Sequence, residues 1–143
     1  MRGGRERGQA RLAKADVGGV RLLYKALKRG EAIGLLPDQV PSQGEGEWTD
    51  FFGRPAYTMT LAGRLAQSSG ATVLIAYSER LPQGQGYVIH VQPLPLDFAG
   101  NVPRQVNAAL ERTIRVCPAQ YLWSYNRYKI PRGVQPPRAG SED

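Results

Sequence analysis

The sequence predicts an α/β domain built on a small mixed sheet flanked by helices. Three observations carry that expectation. Apolar runs of strand length lie at residues 32–36, 72–77 and 87–91. Segments whose apolar residues recur at helical spacing lie at 16–29, 58–69 and 102–117. The resulting order is helix, strand, loop, helix, strand, strand, helix. Its strand–helix–strand crossover implies some parallel pairing in a layered arrangement.

Each element has a local reason. Asp16 is placed to N-cap the first helix, where Val20, Leu22, Leu23, Ala26 and Leu27 form the apolar stripe. Lys25, Lys28 and Arg29 load its last turn, where cations oppose the helix dipole, and Gly30 ends it. Residues 32–36 read as a short buried strand stopped by Pro37. The next segment, 37–56, is too polar and too rich in Gly and Pro for regular structure. A loop of that length inside a compact domain is usually functional or disordered, and Trp48, Phe51 and Phe52 indicate that part of it docks.

From Thr58 a second helix turns Leu61, Ala62, Leu65 and Ala66 inward and stops at Gly70. Residues 72–77 make the clearest strand, 81–86 a turn, and 87–91 the returning antiparallel strand. A third helix starts near Val102 with Pro103 in its first turn, and runs through Val106, Leu110 and Ile114 to Cys117 before Pro118. The aromatic stretch 121–125 is expected to pack back on the sheet. The organisation read this way is a basic arm over 1–15, one α/β domain over 16–131 and a disordered tail over 132–143.

At 143 residues and 41% hydrophobic content the chain is long enough for one real core. No run approaches the roughly 18 apolar residues of a membrane-spanning helix. The charged start Met1-Arg2-Gly3-Gly4-Arg5-Glu6-Arg7 lacks the apolar centre of a secretory signal. A single cysteine, Cys117, excludes an internal disulfide and points to a reducing compartment, where it serves as a small filler at a helix end. The net charge of +7 is local: residues 1–29 carry nine basic and two acidic side chains, and the rest of the chain is balanced. Such a segment suits a polyanion, either nucleic acid or an anionic membrane surface; it also suits a solvated helix face with a loose arm.

Constellations with chemical potential are few. His90 and Cys117 alone provide no metal-ligand cluster of usual spacing, and no cofactor motif is present. Between Ile89 and Val91, His90 reads as a strand-surface histidine. Neither Gly84-Gln85-Gly86 nor Gly3-Gly4 fits a phosphate-binding loop. Trp123, Tyr125, Arg127, Tyr128 and Lys129 have the composition of a single-stranded nucleic-acid platform, and the favoured reading is a C-terminal anchor against the core. Asp38 follows Pro37 at a strand end, where α/β proteins place ligand sites. Buried there it needs an arginine or backbone donors to stay ionised; otherwise it caps the loop as an Asx-turn residue.

Leu36-Pro37-Asp38-Gln39, Trp48, residues 51–56 (Phe-Phe-Gly-Arg-Pro-Ala) and residues 58–66 resemble the bacterial late acyltransferases of lipid A biosynthesis, the lauroyl and myristoyl transferases. Gly86-Tyr87, Asn107, Leu110-Glu111, Ile114, Pro118, residues 120–123 and Arg127-Tyr128-Lys129 fit the same family in the same order, so the resemblance covers roughly residues 3–132. It implies the C-terminal part of a lysophospholipid-acyltransferase-like fold. It further implies transfer of a fatty acyl chain from acyl-acyl carrier protein to a hydroxyl of a lipid A precursor. The place is the inner membrane, peripherally on its cytoplasmic face. Asp38 and Arg5 then take supporting catalytic roles, and Arg7, Gln39, Trp48 and Arg54 contact substrate. Family enzymes use a His-x4-Asp/Glu pair as base and orienting carboxylate. Here the only histidine, His90, is followed five positions later by Pro95. The expectation is therefore a truncated or split C-terminal half, inactive alone. The rival expectations are a small basic nucleic-acid-binding protein and a non-catalytic subunit that completes a partner.

Overall fold

The computed structural model describes residues 10–137, so the basic arm through Gln9 and the tail from Arg138 onward lie outside the described residues. Two compact units divide between Leu35 and Leu36. The first contains helix α1, Val17–Lys28. Asp16 caps it, its Oδ1 accepting from the Gly19 N–H at 2.8 Å. Lys25 and Lys28 fill the last turn, and Gly30 takes a left-handed φ of 76° just beyond it. Both ends follow the sequence expectation. Residues 31–36 form no strand, contrary to that expectation. Five apolar residues look alike whether paired or not, and among the described residues no strand pairs with them.

The second unit holds two antiparallel hairpins and two helices. Strand β1, Gly46–Phe51, pairs with β2, Arg54–Met59. Helix α2, Leu61–Ser69, follows. Strand β3, Leu74–Arg80, pairs with β4, Tyr87–Pro93, and helix α3 spans Val102–Val116. The α/β class holds, but the sheet is two separate two-stranded ladders rather than one mixed sheet, with no parallel pair among the described residues. Losing the strand at 32–36 removes the partner that parallel pairing required.

Residues 37–56 are not irregular throughout, since β1 and the start of β2 occupy their second half. Trp48, Thr49, Phe51, Tyr57 and Thr58 are aromatic or β-branched residues that favour a pleated, half-buried surface. Phe52 and Gly53 turn the chain with φ of 50° and 72°, the two positive values of a type I′ hairpin turn. Phe52 has no glycine's freedom there. It is held by the Glu111 carboxylate, which accepts its N–H at 2.9 Å, and its ring packs edge-on against Phe51. Extending β2 to Met59 also moves the start of α2 from Thr58 to Leu61, because Thr58 is a fully buried strand residue.

Helix α3 organises the core. Asn101 caps it, accepting from Arg104 N–H at 2.7 Å, and Pro103 occupies the first turn. Its buried face, Val106, Ala109, Leu110 and Ile114, packs with Phe51, Ala56 and Leu94. Contacts run from α3 to β1, β2 and β3.

Candidate functional site

Leu36, Pro37, Asp38 and Gln39 form a turn closed by the Gln39 N–H donating to the Leu36 carbonyl at 3.2 Å. Pro37 suits its second position because its ring fixes φ near the required value. Asp38 is half-buried and Gln39 exposed. One residue on, the Val40 N–H donates to the Tyr125 Oη at 2.9 Å, fastening this loop to the C-terminal segment. The Asp38 charge reaches two groups there. Burial pushes the Tyr121 phenol above its ordinary value, and Asp38 adds to the rise. Burial pushes the Arg127 guanidinium down, while Tyr121, Tyr125, Asp38 and Tyr128 act the other way.

Arg127 is the centre of a buried polar network. It is 3% exposed. Nη1 donates to the Tyr57 carbonyl at 2.9 Å, and Nη2 to Thr58 Oγ1 at 2.8 Å and Asn107 Oδ1 at 3.3 Å. Asn107 in turn donates from Nδ2 to the Asp50 carbonyl at 2.8 Å and to Thr58 Oγ1 at 3.0 Å. Four elements of sequence are thereby tied through one guanidinium, whose face also lies 5.2 Å from the Phe51 ring centre. Its Nε has no partner among the described residues.

This geometry decides between the two readings of the aromatic C-terminal stretch. Tyr125 accepts from Val40, Tyr128 Oη donates to the Phe51 carbonyl at 2.8 Å, and Trp123 Nε1 donates to the Pro118 carbonyl at 2.8 Å. The segment is an anchor, and its arginine is inaccessible to a phosphate backbone. Asn107 and Thr58 are the residues whose importance the residue-by-residue reading missed, and with them the burial of Arg127. The available signal was an arginine between two tyrosines in a segment without amphipathic period.

The remaining sequence-derived candidates do not converge on one pocket. Cross-strand partners share a face, so Trp48 with Tyr57 lies on one side of the first hairpin and Arg54 with Phe51 on the other. Trp48 packs edge-on to Tyr57, with ring centres 5.4 Å apart, and its Nε1 donates to the Gln135 carbonyl at 2.9 Å. It lines an open groove of about 620 Å³ with Asp50, Pro55, Tyr57 and Pro136. Arg54 lays its guanidinium 4.2 Å from the Tyr128 ring centre. Arg5 and Arg7 lie outside the described residues.

His90 sits on the other hairpin, its Nε2 2.8 Å from Glu79 Oε2 and its ring stacked on Tyr77 at 4.5 Å. That is a paired strand-surface histidine, as the alternation implies. Among the described residues no group of three or more His, Cys, Asp or Glu is placed to hold a metal ion. No helix among them is long and apolar enough to cross a membrane. What the site offers is a half-buried carboxylate on a hydrogen-bonded turn, its charge felt by a buried guanidinium and a phenol.

Comparison with known proteins places this arrangement. Residues 1–130 match the family model of bacterial lipid A biosynthesis acyltransferases. The chain is 33% identical over 118 residues to the lipid A biosynthesis lauroyltransferase of Escherichia coli strain K12, covering 78% of this chain and 39% of that protein. It is 31% identical over 130 residues to the palmitoleoyltransferase of the same strain, covering 86% of this chain and 42% of that protein. A lipid A biosynthesis acyltransferase of Shigella flexneri matches to the same extent. The chain thus spans about two fifths of the length of these relatives. A family match running from the first residue to the anchoring segment is wide enough to decide membership: this chain belongs to the bacterial lipid A biosynthesis acyltransferases.

Proposed function

We propose that this chain supplies the acceptor-side portion of an acyltransferase that moves a fatty acyl chain from acyl-acyl carrier protein to a hydroxyl of a lipid A precursor. The observation that carries this reading is the family match over residues 1–130, which takes in the Asp38 turn, the Tyr125 hydroxyl that fastens Val40 beside it, and the Arg127 network. In the transfer, the hydroxyl oxygen bonds to the thioester carbonyl carbon and the carbon–sulfur bond breaks. The hydroxyl proton passes to a base and then to the departing thiolate. No cofactor is needed for these steps. Asp38, with Arg5, supports the base or the acceptor. Arg7, Gln39, Trp48 and Arg54 contact substrate, Trp48 and Arg54 from separate faces of the first hairpin, and Arg5 or Arg7 binds phosphate of the acceptor or carrier through bidentate bonds.

The base itself is not supplied by this chain. No His-x4-Asp/Glu pair occurs in the sequence, where Pro95 stands five positions after His90. Activity therefore requires the family's His-x4-Asp/Glu stretch from the same or another polypeptide. The enzyme works peripherally on the cytoplasmic face of the inner membrane. There the basic segment 1–29, net +7, meets anionic lipid, each cation near the surface contributing about 1 kcal/mol.

Purified chain is incubated with acyl-acyl carrier protein and lipid A precursor, alone and together with a polypeptide carrying the His-x4-Asp/Glu stretch. Mass spectrometry of the lipid reads the outcome. The expected result is no product alone and acylated product with the second polypeptide, reduced in kcat by Asp38→Asn. Turnover by the chain alone that Asp38→Asn abolishes would overturn the assignment of the base.

A further inference from the structure

The second hairpin is covered on one side only. In its ladder the Leu94 N–H donates to the Val73 carbonyl and the Leu81 N–H to the Gly86 carbonyl, both at 2.9 Å. Antiparallel alternation then turns the backbone groups of Leu74, Ala76, Ser78 and Arg80 away from β4, toward the outer edge. At Arg80 that edge is closed by a side chain. Gln120 Oε1 accepts the Arg80 N–H at 2.8 Å and its Nε2 donates to the Arg80 carbonyl at 3.0 Å, so one amide fills the place of a strand. The outward groups of Leu74, Ala76 and Ser78 have no partner among the described residues.

The faces are equally unequal. Ile75 packs toward the core and α3. The opposite face carries Leu74, Tyr87, Ile89 and Val91, exposed by 55%, 69%, 72% and 53%. A two-stranded hairpin is marginal alone, and an open edge beside an apolar face is what proteins normally pair or cover.

Resting on the family membership above, we propose that the β3 edge from Leu74 to Ser78 is a docking site for a β-strand from the part of the acyltransferase fold outside this match. About three fifths of the relatives' length lies outside the matched stretch, so a segment of it is available as that strand. The edge specifies an extended segment by its row of backbone donors and acceptors, and the apolar face specifies that the layer beyond it is apolar.

The test co-expresses the full chain with the unmatched stretch of the Escherichia coli lauroyltransferase and measures association and amide hydrogen exchange. The expected result is a one-to-one complex in which the Leu74, Ala76 and Ser78 amides become protected. Ile89→Lys on the face and Ala76→Pro, which removes an outward N–H without breaking a bond to β4, each raise Kd by about tenfold or more. Leu122→Lys, at another exposed apolar site, leaves Kd unchanged. Circular dichroism of the free variants identifies any loss that comes from misfolding, in which case Val91→Thr on the same face replaces the failed variant. No complex, or a complex indifferent to both substitutions, overturns the proposal. So does self-association of the chain alone that the same substitutions abolish. Association without acyl transfer would uphold the docking site and reject the catalytic reading, so the two fail separately.

Discussion

A buried guanidinium without a carboxylate on it is an uncommon choice, because removing the charge from water costs more than neutral hydrogen bonds return. Arg127 accepts that cost and gains geometry: one planar fork reaches the Tyr57 carbonyl, Thr58 and Asn107 together. Lysine has no such fork. Arg127→Lys is expected to lower stability by at least about 2 kcal/mol, from acceptors left unsatisfied, read as a lower urea midpoint at unchanged slope. Alkaline pH probes the same neighbourhood. Burial raises the phenols of Tyr121 and Tyr128 above their ordinary 10.0, so their contribution to stability is complete below that value and lost as pH rises through the folded-state values. Denaturation midpoints should fall above pH 10, and Tyr121→Phe with Tyr128→Phe should flatten the fall. Of this cluster Asp38 and the aromatic-basic segment around Arg127 stood out on residue type. Partners such as Asn107 and Thr58 are far apart in sequence, and only tertiary packing reveals that their polar atoms are buried.

At the scale of elements, the helices were legible and the first hairpin was not. Asp16 as a cap, Pro103 in a first turn, and Gly30 and Gly70 as stops, are local chemistry that a sequence displays directly. The hairpin of β1 and β2 has Gly46 and Pro55 inside its strands, which argue against a strand when read locally. Gly46 is required for another reason: a Cβ there would lie 2.6 Å from Pro41 Cγ and 2.8 Å from the Thr58 carbonyl oxygen. Gly46→Ala should therefore destabilise the hairpin by about 1–3 kcal/mol, seen as a lower Tm. Glu111 joins this hairpin to α3, accepting from Phe52 N–H at 2.9 Å and Arg104 Nη1 at 3.2 Å while 7% exposed. Glu111→Ala leaves the Phe52 N–H and the inner strand end unsupported, a loss of about 1–3 kcal/mol by chemical denaturation.

For the molecule as a whole, the α/β class was legible because helix and strand periods differ. The sheet count was not, because a five-residue apolar run carries no record of whether a partner strand exists. The irregular segment 31–36, between the two units, should be the first point of attack by subtilisin. The expected product is a resistant fragment beginning near Leu36, identified by mass; cleavage inside residues 46–116 at the same rate would contradict the division. Phe52 has a consequence for the order in which this fold assembles. Its positive φ is unfavourable until Glu111 captures its N–H and Phe51 receives its ring, so the two-residue turn of the first hairpin is not available as an early, local nucleus. Hairpin and helix must condense together across some sixty residues of sequence, since Phe52 and Glu111 are 59 apart. Glycine at position 52 would free the turn from that wait: refolding should quicken in stopped-flow fluorescence, and unfolding should quicken more, as the ring's packing is lost.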